Sequence, residues 1–343
     1  MDFSIEFSRA ELGERIRRVV LRTKQMDFAW DWPAGVALYG VARAYESTGE
    51  AEYLEYLKQW VDQHLKCGLP PLTVNAVSVG HAVLTLYQHT KEEIYLETVQ
   101  RMASFLTNEA VRFGDGVLQH TVSQNFQFPG QAWADTLFMA GLFLVRAGRL
   151  LEDGVMTRDG LKQFYWHVRY LQDEKTGLFY HAYDSQTQSN LSGVYWARAN
   201  GWCAVTLSAL MEMSDPFEPM FVELADALRD QLAALIRLQR EDGMWSTVLD
   251  DDSAYTETSA ACAIATALVQ YGFDGYREHA RRAAEAIIGQ IDQDGVVCGV
   301  SAGTAVMHTA EDYKQIPNHR IQGWGQGLAL TLLAVLYEHC EEA

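Results

Sequence analysis

The sequence predicts an all-α protein, an (α/α)6 barrel of six helical hairpins, and three observations carry that expectation. Apolar residues recur at i, i+3, i+4 and i+7 along the whole of the 343 residues, whereas alternating strand patterns are scarce. Helices with one charged face alternate with helices that are apolar all round and rich in small residues, the pattern of an outer ring wrapped around a buried inner ring. A glycine-centred turn follows a helix at Asp115-Gly116-Val117, Thr176-Gly177-Leu178, Asp242-Gly243-Met244 and Asp294-Gly295-Val296. The intervals of 61, 66 and 52 residues each mark one unit of two helices.

In chain order the periodicity predicts helices over 9–24, 33–47, 51–67, 78–90, 93–107, 133–149, 158–172, 196–213, 219–238, 256–271, 275–291 and 323–340. Inner members show as the apolar runs Ala34–Tyr39, Gly80–Leu86, Thr136–Leu144, Gly201–Leu210, Ser259–Leu268 and Gly327–Leu336. Outer members carry charge, as in Ala51–Lys66, Glu92–Leu106, Pro219–Arg240 and Tyr276–Ile291. A closed ring shares one core, so 1–343 is expected to be a single domain without linkers. Its site is expected at the rim where outer helices hand over to inner ones, because the loops there are longer.

Composition narrows the function. An apolar content of 48% is ample for a large core, and a formal charge of −18 argues against a nucleic-acid surface, which needs basic stripes. No run approaches the roughly 20 apolar residues of a membrane span. The first residues, Met1 to Glu6, are acidic and lack a basic n-region, so no signal peptide is expected. Five scattered cysteines without a CxxC pair fit reduced thiols, no metal site and a cytoplasmic protein. The acidic surface sets no oligomeric state.

Two stretches carry the chemistry. In Gln131-Ala132-Trp133-Ala134-Asp135-Thr136-Leu137 an acid opens a very apolar helix. It reads either as a capping charge stabilised by the helix dipole or, walled by the Trp133 indole, as a desolvated carboxyl with a raised pKa that serves as general acid. In Trp196-Ala197-Arg198-Ala199-Asn200-Gly201-Trp202 a guanidinium sits in an aromatic frame. It reads either as structural cement or as a bidentate carboxylate trap given room by small neighbours. Trp30 and Trp32 precede the first inner helix and read as sugar platforms or helix staples. Asn75 reads as a cap or a hydroxyl-binding amide, and His181, after the Gly177 turn, as a structural or a catalytic histidine. Polar and aromatic groups thus converge on one rim four or five times, the pattern of a small carbohydrate substrate.

Together, the WxRxNGW stretch Trp196–Trp202, the WxDTLFM stretch Trp133–Met139 and the turn Gly177-Leu178-Phe179-Tyr180-His181 resemble glycoside hydrolase family 105, the unsaturated rhamnogalacturonyl hydrolases, and more distantly the unsaturated glucuronyl hydrolases of family 88. The resemblance implies an (α/α)6 barrel that removes a 4,5-unsaturated uronic acid from the non-reducing end of lyase-generated oligosaccharides, without metal or organic cofactor. It implies Asp135 as the acid that protonates C4 of the enol ether and then as the base that activates water for C5. It further implies Arg198 on the uronate carboxylate, with His181, Trp133 and Trp202 shaping the subsite. Asn75 stands where many relatives carry a second acid.

Three rival readings remain. A terpene cyclase is suggested by Gln239-Arg240-Glu241-Asp242-Gly243-Met244-Trp245, but the pattern occurs once and is better explained as a helix end with Trp245 packed beneath it. A sugar epimerase on the same barrel would need a histidine pair, for which His181 lacks an evident partner. A non-catalytic sugar-binding barrel is the third alternative.

Overall fold

The structure, a computed structural model, describes residues 7–124 and 128–340; the expectation about Met1 to Glu6 lies outside them. The helices are α1 Arg9–Thr23, α2 Trp32–Thr48, α3 Ala51–Lys66, α4 Val74–Val77, α5 Gly80–Thr90, α6 Glu93–Ser104, α7 Leu142–Leu150, α8 Gly154–Leu171, α9 Ala197–Met213, α10 Phe221–Arg237, α11 Thr258–Tyr271, α12 Arg277–Ile288, α13 Ala310–Lys314 and α14 Gly323–His339. Each of α2, α5, α7, α9 and α11 packs on the next in that series, α11 packs on α14, and α14 returns to α2. That closes an inner ring of six. Outside it α1, α3, α6, α8, α10 and α12 lie against α14, α2, α5, α7, α9 and α11 respectively. The (α/α)6 barrel expected from the periodicity is therefore present.

Burial explains why these segments alternate. In α9, α11 and α14 nearly every residue is buried, because each contacts ring neighbours on two sides and an outer helix behind. Outer helices bury a single stripe, as Leu224, Leu228, Leu232 and Leu235 do in α10. One continuous apolar core runs from Leu12 to Leu336. No described helix is long and apolar enough to cross a membrane.

The repeated turns have one physical role. Gly116, Gly177, Gly243 and Gly295 all have positive φ, between 80° and 91°. A side chain at three of them would strike the backbone of an outer helix, at Asp230 for Gly177, Arg282 for Gly243 and Arg18 for Gly295. A glutamine fastens each of these three turns by donating to the glycine carbonyl and to an outer helix: Gln172 to Ala227, Gln239 to His279, Gln326 to Val19. Trp245 is buried below its turn and donates Nε1–H to Leu235 O at 2.8 Å, as the packing reading of that motif expects.

Four boundaries differ from the periodicity. The helix expected over 78–90 splits into α4 and α5. The one expected over 93–107 ends in a π-helical turn, Phe105–Glu109. Helix α8 starts at Gly154, four residues early, because Asp153 caps it by accepting from Val155 and Met156. The helix expected from 133 begins later, since Gln131–Trp133 is a strand. The strands are β1 Arg112–Phe113, β2 Val117–Leu118, β3 Gln131–Trp133, β4 Ala182–Asp184 and β5 Ser189–Leu191. They pair as an antiparallel β1-β2 ribbon and an antiparallel sheet in the order β3-β4-β5. This small sheet sits on the rim and sets the entry of α7.

Candidate active site

A cavity of about 530 Å³ opens at the rim, lined by Asp31, Trp32, Asn75, His120, Trp133, Asp135, Arg198, Thr304 and Trp324 among others. Its size falls within the roughly 300–1,000 Å³ usual for small-molecule sites.

Asp135 lies between β3 and the π-helical turn Leu137–Gly141 that leads into α7. The strand pairing of Trp133 with Ala182, and the bond from Ala134 N–H to His181 O at 2.9 Å, hold the junction from outside. From inside, His81 Nε2–H donates to Phe138 O at 2.9 Å within the π turn, while Arg146 donates to His81 Nδ1. This braces an irregular turn of the kind often found at functional sites.

The Asp135 side chain is 16% exposed, and its Oδ2 lies 3.3 Å from His181 Nε2. The contact is loose: neither atom has a well-formed hydrogen bond, which is common before substrate arrives. Burial alone pushes this carboxyl up. The His181 contact, followed by the nearby His120 ring and the Arg198 guanidinium, outweighs burial and holds the group below the usual carboxylate value. The expectation of a raised pKa is therefore corrected. The indole of Trp133 removes water as anticipated, but two imidazoles and a guanidinium stabilise the anion more than that loss costs.

Arg198 is buried on α9, between the rings of Trp196 and Trp324 at 4.6 and 5.5 Å. Nη1 donates to Ser301 O and Oγ, and Nη2 to Ala302 O at 2.7 Å and Thr304 Oγ1 at 3.0 Å, so its four terminal N–H groups are engaged. Glu257, fully buried, stands 3.7 Å away. Burial pulls the guanidinium down from its usual value, with Glu257 and Asp135 opposing. Its charge faces the cavity wall, but its fork is closed on the 301–304 loop. The bidentate-trap geometry is thus already occupied by protein, with Ser301 and Thr304 tying their loop to α9.

The remaining expected residues divide cleanly. Trp32, Trp133 and Asn75 line the cavity; Trp32 stacks on Trp324 at 4.3 Å, and Trp133 on His120 at 4.4 Å. Asn75 is 6% exposed with Oδ1 unpartnered, and its N–H is fixed to Thr121 O, so the amide is presented to the cavity. Trp30, Trp196 and Trp202 lie behind the cavity wall. Trp30 packs on Trp60 and His64, Trp196 on His181 and Tyr313, and Trp202 on Phe138, none of them on the cavity wall. His181 is fully buried behind Asp135.

Sequence reasoning missed His120, Asp31, Tyr313 and Trp324. His120 is buried, bonded through Nδ1 to Thr136 Oγ1 at 3.0 Å, and burial lowers its pKa to about 4. Asp31 caps α2, and burial raises its carboxyl. Tyr313 is buried on α13 with its OH 2.8 Å from His181 Nδ1. Of the four, only Asp31 had a local signal, an acid immediately before Trp32-Pro33. His120 completes a histidine pair around Asp135, yet His181 is walled off from the cavity, so the pair does not flank a substrate as an epimerase would require.

A partly buried carboxylate and a fixed guanidinium thus line one aromatic cavity on the rim of an (α/α)6 barrel. The sequence profile of Glycosyl Hydrolase Family 88 matches residues 8–339, and the chain belongs to that family; it is a glycosidase. It is 52% identical to the unsaturated rhamnogalacturonyl hydrolase YesR of Bacillus subtilis, over 96% of this chain and 95% of that protein. The structure of a possible family 105 member from Salmonella enterica superposes with a TM-score of 0.91 at 27% identity, covering 97% of this chain and 95% of that one. The unsaturated glucuronyl hydrolase of Bacillus sp. GL1 shares the fold, with a TM-score of 0.71 at 15% identity over 96% of each chain.

Proposed function

We propose that this chain removes a 4,5-unsaturated uronic acid from the non-reducing end of a short oligosaccharide left by a polysaccharide lyase, with an unsaturated rhamnogalacturonyl disaccharide as its substrate. The observation that carries the reading is Asp135, whose Oδ2 lacks a full partner at the wall of an aromatic cavity, beside the positive charge of Arg198. Chain similarity to YesR over nearly its full length supports the substrate class.

Free enzyme holds Asp135 as the anion. The uronate carboxylate, arriving next to Arg198, cancels part of the field that stabilises that anion. Substrate thus raises the Asp135 pKa, and the group takes up a proton at the moment it is needed. Protonated Asp135 delivers that proton to C4 of the enol ether. Water adds at C5, its proton passing to the Asp135 carboxylate just formed, and the hemiketal opens with loss of the aglycone. Trp133 and the stacked Trp32–Trp324 pair provide faces for the sugar rings, and the Asn75 amide offers Oδ1 to a hydroxyl. The unpaired, exposed Cys67 supports a reducing, cytoplasmic setting.

The test is the ultraviolet absorbance of unsaturated disaccharides, prepared by lyase digestion of rhamnogalacturonan, during incubation with the wild type and Asp135→Asn. Loss of the enol-ether band with wild type alone is expected, and reaction in heavy water should place deuterium on C4. Persistence of the band with every unsaturated substrate would end the reading, and label confined to the anomeric carbon would end the hydration mechanism.

A further inference from the structure

One segment, residues 300–320, touches both Arg198 and the histidine beside Asp135. Its first part, Ser301 to Thr304, closes on Arg198. Its second part brings Tyr313 to the far side of His181, 132 residues away in sequence.

Met307 N–H donates to Tyr313 Oη at 3.2 Å, and the Ser192 hydroxyl also faces that oxygen, so the hydroxyl is supplied with donors on its outer side and has His181 Nδ1, 2.8 Å away, as an acceptor for its own proton. A ring that accepts at Nδ1 carries its proton on Nε2, the atom 3.3 Å from Asp135 Oδ2. We infer that Tyr313 is a positioning residue of the hydrolase: it fixes the His181 tautomer so that an N–H always faces Asp135, and thereby sets the pH range over which Asp135 serves as acid.

Supporting observations come from packing. Tyr313 is fully buried, with the rings of Trp196 and His181 at 5.6 and 6.0 Å, and burial pushes its phenol up to about 12, so it keeps the proton it donates. Trp133 meets the His181 ring edge-on and Trp196 covers it at 4.3 Å, leaving tautomer exchange, rather than ring rotation, as the available freedom. The titratable and charged groups facing Asp135 are His181 with Tyr313 behind it, His120 from the rim loop, and Arg198 and Cys203 from α9. Asp31 shares the cavity, and Glu257 lies behind Arg198. Among them Tyr313 is the one hydrogen-bonded to the far side of the His181 ring.

The inference rests on Asp135 being the acid, and the experiment separates the two. Wild type, Tyr313→Phe and Asp135→Asn are assayed on the unsaturated disaccharide across pH. Long-range proton–nitrogen spectra of histidine-labelled wild type and Tyr313→Phe read the His181 tautomer without any turnover. Expected for Tyr313→Phe are a mixed tautomer, a maximal kcat at least about tenfold lower, a KM little changed, and the alkaline limb of kcat/KM displaced to higher pH. The sign follows because an Asp135 that loses a constant N–H donor is less stabilised as the anion and stays protonated longer. A wild-type His181 with its proton on Nδ1, or a Tyr313→Phe profile lowered without displacement of the limb, overturns the inference. Wild-type turnover by Asp135→Asn would instead overturn the assignment of the acid.

Discussion

The Asp135 and Arg198 junctions are built alike. Each is a Trp-Ala-charge triplet, and in each the alanine N–H donates to a carbonyl four residues beyond a positive-φ glycine, Ala134 to His181 after Gly177 and Ala197 to Thr247 after Gly243. At Arg198 every terminal N–H is engaged and a buried carboxylate stands behind it. At Asp135 one oxygen has only a loose contact. One scaffold thus supports a group made to stay in place and a group left able to exchange a proton. The two should fail differently when altered.

The largest expected effect is on chemistry at the looser junction. Asp135→Asn keeps the shape and removes the proton, so turnover should fall by at least about a thousandfold, with a melting temperature close to that of the wild type. A variant retaining a tenth of the activity would erase the contrast. The opposite profile is expected at the closed junction. Arg198→Met strands Glu257 as a buried, unpaired charge and frees the 301–304 loop, a loss of about 3–5 kcal/mol. In a chain of this size that is a fall of roughly 4–7 °C in Tm. Thermal unfolding of the two variants side by side decides whether the division between reacting and anchoring residues is real.

That division was only half visible in the sequence. The barrel was legible because its signal is periodic: an inner helix such as α11 is apolar around its whole circumference, while α10 shows one stripe, and nothing but two rings reconciles them. Asp135 and Arg198 were legible because tryptophan and small residues around a charge are rare in ordinary helix starts. The direction of the Asp135 pKa was not. It depends on His181 and His120, which come from other turns and whose distance from residue 135 is a property of the closed ring. Tyr313 was invisible for the same reason, since a residue 132 positions from its partner leaves no local pattern. Which indoles reach the cavity was not legible either: Trp32 and Trp133 line it while Trp30, Trp196 and Trp202 lie behind its wall, and an indole in either place has the same neighbours in sequence.

Acid should sharpen the comparison by loading the histidines around the loose junction. Burial lowers His120 and His167 to about 4 and His81 to about 3, against an ordinary value of 6.5. Between about pH 6.5 and 4 the unfolded chain therefore binds protons that the folded chain refuses, and stability falls as pH falls. Each contributes on the order of 3 kcal/mol across that window. Asp135, with a lowered pKa, contributes stability that is lost only below its unfolded value near 3.9, so it has no part in the earlier loss. A melting temperature flat between pH 7 and 5 would show that these rings are not held neutral. His120→Asn should flatten the slope by about a third, being one of three comparable terms.

The smallest effect tests whether the closed junction serves the site as well as the fold. Thr304 Oγ1 accepts from Arg198 Nη2 and donates to Ala302 O, and the residue also lines the cavity. Thr304→Val keeps the volume and removes both bonds, which should cost about 1–2 kcal/mol of stability. It also releases one Arg198 N–H toward the cavity. If the closed fork acts on substrate only through its field, that release gives the uronate a new donor, and KM should fall or hold while kcat stays within about twofold. If the wild-type fork instead opens onto the uronate during turnover, the loop threonine is its resting partner, and losing it should leave KM unchanged but alter the rate of substrate binding. A raised KM would contradict both, and would mean that Thr304 itself holds the sugar.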